Sequence, residues 1–415
     1  MRFRMITITA LVLAGCGAAG SGAVPSAQPS TQAGGVQTLQ RTTRADAATY
    51  SVVLLATLRG SSAGGSAIND RGQVSGYSAL ADGPNIHAAV WTGDAQPVDL
   101  GTLGGPNSAV VWPGINERGE VAGISETATL QPRGEIFSCA KGGFFPQQTG
   151  HECRGFVWRD GTMTPLPTLG GDNGFATGIN ARGQVVGWAE NSTVDPTCVA
   201  PQVLQFEPVI WDTRIGKTEQ LPLYPGDVDG AATGINAEGQ VVGISGICDK
   251  AVGRFSAAHA VLWDHGAVTY LGSLGGVAWN TPMALNDRGQ VVGFADLPDD
   301  RSGTPNFHAF LWTKSGGMHD LKTLPGDVYS QATGINERGQ VVGVSSSAGF
   351  ATSRAVIWQD GQPHDLNGLI PPNSGLALLY ANDINDRGEV TGGACVLVKG
   401  ACGAEVRAFR ATPIR

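Results

Sequence analysis

Apolar residues in this chain come in short bursts, and none of the bursts has helical spacing. One kind reads "GQVVG", as at Gly183–Gly187 and Gly239–Gly243, a β-branched run of strand length. A second kind reads "HAVLW" (His259–Trp263) or "RAVIW" (Arg354–Trp358), apolar on consecutive positions, the mark of strands buried on both faces. A short polar link follows, such as "TKSGGM" or "QDGQP", and then a fourth strand such as "HDLKTLPG" (His319–Gly326). The pattern predicts units of four short antiparallel strands.

The units repeat. "ATGINERGQVVGVS" (Ala332–Ser345) is nearly rewritten at Ala176–Ala189 and Ala232–Ser245, and four looser copies bring the count to seven. Their asparagines are Asn69, Asn116, Asn180, Asn236, Asn286, Asn336 and Asn385, spaced by 47, 64, 56, 50, 50 and 49 residues. Asn followed three residues later by Gly suits a type I turn, so the asparagines are expected to form turns. Four-stranded units of this period, each too small to bury its own faces, predict the blades of a β-propeller. The seventh unit stops after its third strand at "VRAFRATPIR", and the missing element occurs at the other end as "VVLLATLRG" (Val52–Gly60). The expectation is an all-β, seven-bladed propeller over residues 49–415, its last blade closed by the N-terminal strand.

Composition adds location. Acidic residues exceed basic ones by 35 to 27, with no basic run, which argues against a nucleic-acid partner. "MRFR" followed by "MITITALVLA" has the order of a signal peptide and is too short to span a bilayer. "Leu13-Ala14-Gly15-Cys16" resembles the bacterial lipobox, which implies removal of residues 1–15, acylation of Cys16, and an outer-membrane address where there are two membranes. Residues 16–48, rich in Gly, Ala, Ser, Gln, Thr and Pro, read as a flexible tether. With Cys16 lipidated, six of seven cysteines remain to pair in an exported protein. Cys139 with Cys153 and Cys395 with Cys402 are local pairs, and Cys198 with Cys248 then bridges blades three and four.

"HAFLW" (His308–Trp312), "DLGTLGG" (Asp99–Gly105) and "GINERGQVVG" (Gly334–Gly343) resemble the HAF repeat of extracellular bacterial proteins. The resemblance covers nearly the whole body, although Arg154, Glu207 and Arg354 stand where the histidine is expected and Arg410 where the last tryptophan is. It implies export and a propeller-like repeat; it brings no established reaction and no catalytic residues.

No nucleophile motif, metal-protease motif or phosphate loop occurs, and the histidines His87, His259 and His308 share one repeat position too widely separated for a common metal. The recurrent tryptophans (Trp91, Trp158, Trp211, Trp263, Trp312, Trp358) are expected between blades. What differs from unit to unit is free to hold a ligand. Two regions differ: the link between second and third strands, longest in the second unit (Glu126–Glu152), and the link into each first strand. Both emerge on one face, where binding is expected. There Asp172, Asp227, Asp229, Trp279, Asp327 and Tyr329 are expected to converge on the channel mouth, with acids able to hold Ca²⁺ and aromatics able to stack on a sugar. The leading function is a surface-anchored, non-enzymatic, monomeric binding module for an envelope glycan or protein. The alternative is an extracellular polysaccharide hydrolase or lyase, which needs two opposed carboxylates.

Overall fold

The computed structural model describes residues 50–81, 83–93, 95–135, 144–249, 253–298 and 306–414. They form seven separate four-stranded antiparallel sheets, a seven-bladed β-propeller. The first strands are Arg59–Ile68, Gly104–Ala109, Gly170–Ile179, Asp229–Ile235, Thr281–Leu285, Tyr329–Ile335 and Leu376–Ile384. Threonine hydroxyls join them directly across blade seams: Thr177 donates to the Ala232 carbonyl (2.9 Å), Thr233 to Pro282 (2.7 Å) and Thr333 to Ala381 (2.8 Å). First strands therefore line the centre and fourth strands the rim.

The clasp forms as expected, with a shifted boundary. Tyr50–Leu54 is the outer strand of blade 7, paired antiparallel with Ala401–Pro413 in the register Tyr50 to Pro413 and Leu54 to Phe409. The strand ends at Leu54, short of Leu58, because Leu55 to Leu58 already cross toward blade 1: the Leu58 N–H donates to Ser78 Oγ and the Ala56 carbonyl accepts from the Trp91 indole.

Fourth strands are also shorter than their sequence run. In blade 5 only Gly317–Asp320 pairs; the residues from Leu321 onward are link. A left-handed residue follows the leucine, Lys322 (φ 60°) here and Gly101 (φ 74°) or Gly272 (φ 88°) elsewhere, and turns the chain out of the ladder.

The apolar third strands are buried as the pattern requires; His259–Asp264 buries its four central residues. The tryptophans staple neighbouring blades. Trp91, Trp211 and Trp263 are nearly fully buried, and their indoles donate to carbonyls of the link from the preceding blade, at Ala56, Pro167 and Pro222.

The repeat asparagines do more than shape a turn. In each, Oδ1 accepts from the backbone N–H four residues on, and at Asn336 it accepts from both Arg338 (3.1 Å) and Gln340 (3.0 Å). Nδ2 then donates to the backbone carbonyl of the next blade's asparagine. The series runs Asn69 to Asn116, Asn180, Asn236, Asn286, Asn336, Asn385 and back to Asn69, at 2.9–3.1 Å throughout. Seven buried side chains thus close a hydrogen-bonded ring at the turn face.

Candidate functional site: the loop face

Opposite that ring lies the face built from the links between second and third strands and the links between blades. Its cysteines are placed as expected where they are described. Cys198 is bonded to Cys248, their Cα atoms 4.6 Å apart, tying the links of blades 3 and 4, and Cys395 is bonded to Cys402 within blade 7. Cys153 is disulfide-bonded; Cys139, Cys16 and the whole 1–48 segment lie outside the described residues.

The six expected ligand residues do not share one opening. Asp172 is ion-paired with Arg133. Asp227 holds His259 Nδ1 at 2.8 Å, and Asp327 holds Arg354 at 2.9 Å. Asp229 is fully buried and accepts from the Phe206 N–H of the preceding blade (2.6 Å). Trp279 is 4 % exposed and packs edge-on against Phe307, in the largest apolar cluster. Tyr329 stacks on Phe350, ring centroids 4.7 Å apart. Among the described residues no three His, Cys, Asp or Glu side chains are grouped to hold a metal ion. The physical reason is local pairing: Asp172, Asp227 and Asp327 are each taken by a basic side chain, and buried Asp229 serves a seam.

Asp229 shows the seam role clearly. Asn107 and Asn173 occupy its position in blades 2 and 3, accepting from the N–H of Ile86 and Cys153 and donating to buried Glu126 and Glu190. Asp229 keeps the first bond only, and its Oδ2 is buried without a partner. Burial, reinforced by Glu207 and Asp195, pushes its carboxyl up to about 8 against the pull of the Phe206 N–H. Burial likewise raises Glu207 to about 7, although Gln220 and Asn191 bond it.

Blade 2's long link is latched onto blade 3. Glu135 accepts from the N–H groups of Val203 (2.8 Å) and Leu204 (2.6 Å), and Phe144 packs between Trp112 and Phe175. Close by, Glu190 is pushed up to about 7 by burial and by Glu135, against bonds from Gln202 and Asn173. The repeat histidines are structural partners of carboxylates: His87 Nδ1 lies 2.9 Å from Asp99 and His308 Nδ1 3.0 Å from Asp320, on their own outer strands.

Large apolar side chains are exposed around this face. Leu130 and Val194 end second strands and Ile247, Val277, Val328 and Phe350 sit in links, whereas the turn face shows Ile215 and Ile414. Sequence comparison of the units located the face but missed Phe350, which lies in the short link of blade 6 (347–352).

No described protein family and no curated protein matches the chain. Among solved structures it is similar to an acylaminoacyl peptidase from Pyrococcus horikoshii (TM-score 0.46, 12% identity, 84% of this chain and 52% of that one). It is also similar to the β-propeller domain of the Trilobed protease from Pyrococcus furiosus (0.43, 13%, 72% and 79%) and to a gluconolactonase from Xanthomonas campestris (0.36, 9%, 86% and 88%). The chain spans about half the length of the peptidase.

Proposed function

We propose that the chain is an exported lipoprotein, held at the cell envelope through Cys16, whose loop face binds an envelope glycan or protein without carrying out a reaction. The observation that carries this reading is the set of exposed apolar side chains on the face where the units differ, the kind of variable loop surface on a rigid scaffold that carries binding residues. The path of the chain supports it. Tyr50 pairs with Pro413 at the turn face, so a tether reaching residue 50 from the membrane meets the body on the side away from the loops.

The competing reading, a polysaccharide hydrolase or lyase, finds its best footing in Glu190, raised to about 7 as a general acid's carboxyl would be. Glu190 is 2 % exposed and already bonded to Asn173 and Gln202, so binding is the reading we adopt.

Capture of cell-envelope material on the full-length protein tests it. Leu130→Asp with Val277→Asp should abolish capture, and Arg288→Ser on the turn face should not. Capture lost only through the turn-face change, or release of shortened glycan during incubation, would overturn the reading. For the anchor, Cys16→Ser should move the protein from the membrane to the soluble fraction; a variant still membrane-bound after a salt wash would refute it.

A further inference from the structure

Phe350 combines three features on the loop face. Its backbone is left-handed (φ 56°), a conformation that bulky L residues rarely adopt. Strained residues of this kind persist where the surroundings hold them, and they gather at ligand sites. Its ring is 38 % exposed in a link otherwise made of small residues. And the loop that presents it is braced: the Ser347 N–H donates to the Thr352 carbonyl (3.0 Å), while the Thr352 N–H donates to Ser347 Oγ (2.9 Å).

The buried side of the ring is supported in depth. Phe350 stacks on Tyr329 with an interplanar angle of 19°, Tyr329 packs on Phe307 (5.4 Å), and Phe307 contacts Phe294 (5.3 Å) and Trp279 (6.2 Å). A single exposed aromatic ring is thereby fixed in place by four others. The strand that follows the loop begins with a fixed polar group. Arg354 is held by Asp327 (2.9 Å) and Asp365 (3.2 Å), and Asp327 lies two residues from Tyr329.

We propose that Phe350, backed by Tyr329, is the stacking platform for one hexose ring of an envelope glycan. Size favours a sugar over a protein here. A stable protein interface buries about 800 Å² on each partner, many times the free face of one half-exposed phenylalanine, whereas a pyranose presents a C–H face of about one ring. The rigid ring also loses little side-chain freedom on binding, which suits a weak, repeated contact along a polymer.

The assignment rests on the loop-face reading, and the test separates the two. Cellohexaose, laminarihexaose and chitohexaose are titrated into the full-length protein, with capture of whole envelope material run in parallel. At least one hexasaccharide should bind, Phe350→Ala should weaken it tenfold or more, and Phe350→Trp should retain it. Unfolding temperatures of both variants, within a few degrees of the parent, show that the loop still folds. If Phe350→Ala leaves sugar binding unchanged while Leu130→Asp with Val277→Asp abolishes capture, the platform is wrong and the loop-face reading stands. If no hexasaccharide binds but Phe350→Ala lowers capture, the ligand is not a hexose polymer and the sugar assignment is overturned. If neither variant affects capture, both readings fail.

Discussion

Replacing Asn336 separates its two roles. The side chain is 3 % exposed and makes four hydrogen bonds: Oδ1 accepts from Arg338 and Gln340 within the turn, and Nδ2 donates to Gln340 Oε1 (3.0 Å) and to the Asn385 carbonyl of the next blade (3.1 Å). A buried hydrogen bond contributes about 1 kcal/mol net, and more where a partner is left unsatisfied. Asn336→Ala removes all four; water reaching the turn beside exposed Arg338 recovers part, so the cost should be roughly 3 kcal/mol. Asn336→Asp is the sharper change. It keeps both acceptor bonds of the turn, and aspartate is as good a turn former at this position. It also turns the Nδ2 donor into an oxygen facing two oxygens. A turn-only asparagine predicts a cost under about 0.5 kcal/mol for Asp, in the range of ordinary surface changes; the ring predicts about 3 kcal/mol or more at pH 7. Because a carboxyl trapped among acceptors binds its proton more tightly folded than unfolded, the Asp variant should regain stability as pH falls. Urea unfolding at pH 5 and pH 7 measures both. A tolerated Asn336→Asp at pH 7 would refute the ring as a source of stability.

Other outcomes follow from the same seams. Asp229→Asn should be neutral at pH 4 and stabilising by on the order of 5 kcal/mol at pH 8, since a carboxyl raised from 3.8 to about 8 costs the fold progressively as pH climbs through that interval; equal pH profiles for parent and variant in thermal unfolding would count against it. Deleting residues 17–48 should barely change the melting temperature. Extending the deletion through Gly60 should cost about 5 kcal/mol or more, because buried Tyr50 and Leu55 are lost and blade 7 is left with an open edge; identical melting curves for the two truncations would speak against the clasp. Removing the Cys198–Cys248 bridge, whose partners are 50 residues apart, should lower stability by about 2–4 kcal/mol, read by denaturant midpoint; an unchanged midpoint would show that the link is held by its other contacts.

The blades were legible because their signal is repeated: seven copies of one turn and six of one apolar strand leave little freedom in how the units stack. The asparagine ring was visible too, in a detail that is easy to pass over. A type I turn accepts Asp or Ser at the first position as readily as Asn, yet all seven units use Asn, the one of the three whose side chain both accepts and donates through an amide. The demand for that donor comes from the next blade's carbonyl, which turn chemistry does not see. The loop-face residues were placed on the right face and then misgrouped. Spacing gives position along a link but not the direction of a side chain: Asp227 and Asp229, two residues apart, serve their own blade's His259 and the previous blade's Phe206. Trp279 was expected at an opening and is instead buried over Phe307 with a left-handed backbone (φ 49°), a reversal of direction that no local sequence rule announces.

The two faces also differ in what a change of length would disturb. At the turn face every blade is tied to its neighbour through the same short turn, so an inserted residue would displace an asparagine from the carbonyl it meets at 3.1 Å or less. At the loop face side-chain ties run through first-strand residues such as Asn107, Asn173 and Asp229, set back from the tips of the links, which leaves link length free. Freedom has a cost, because each added residue must be ordered against about 1–2 kcal/mol of backbone entropy. The structure places extra ties where links are long: the Cys198–Cys248 bridge between blades 3 and 4, and the hold of Glu135 on Val203 and Leu204 from the longest link of all. Blade 6 takes the other course. Its link is short and closed on itself by Ser347 and Thr352, needs no bridge, and can hold one strained aromatic outward.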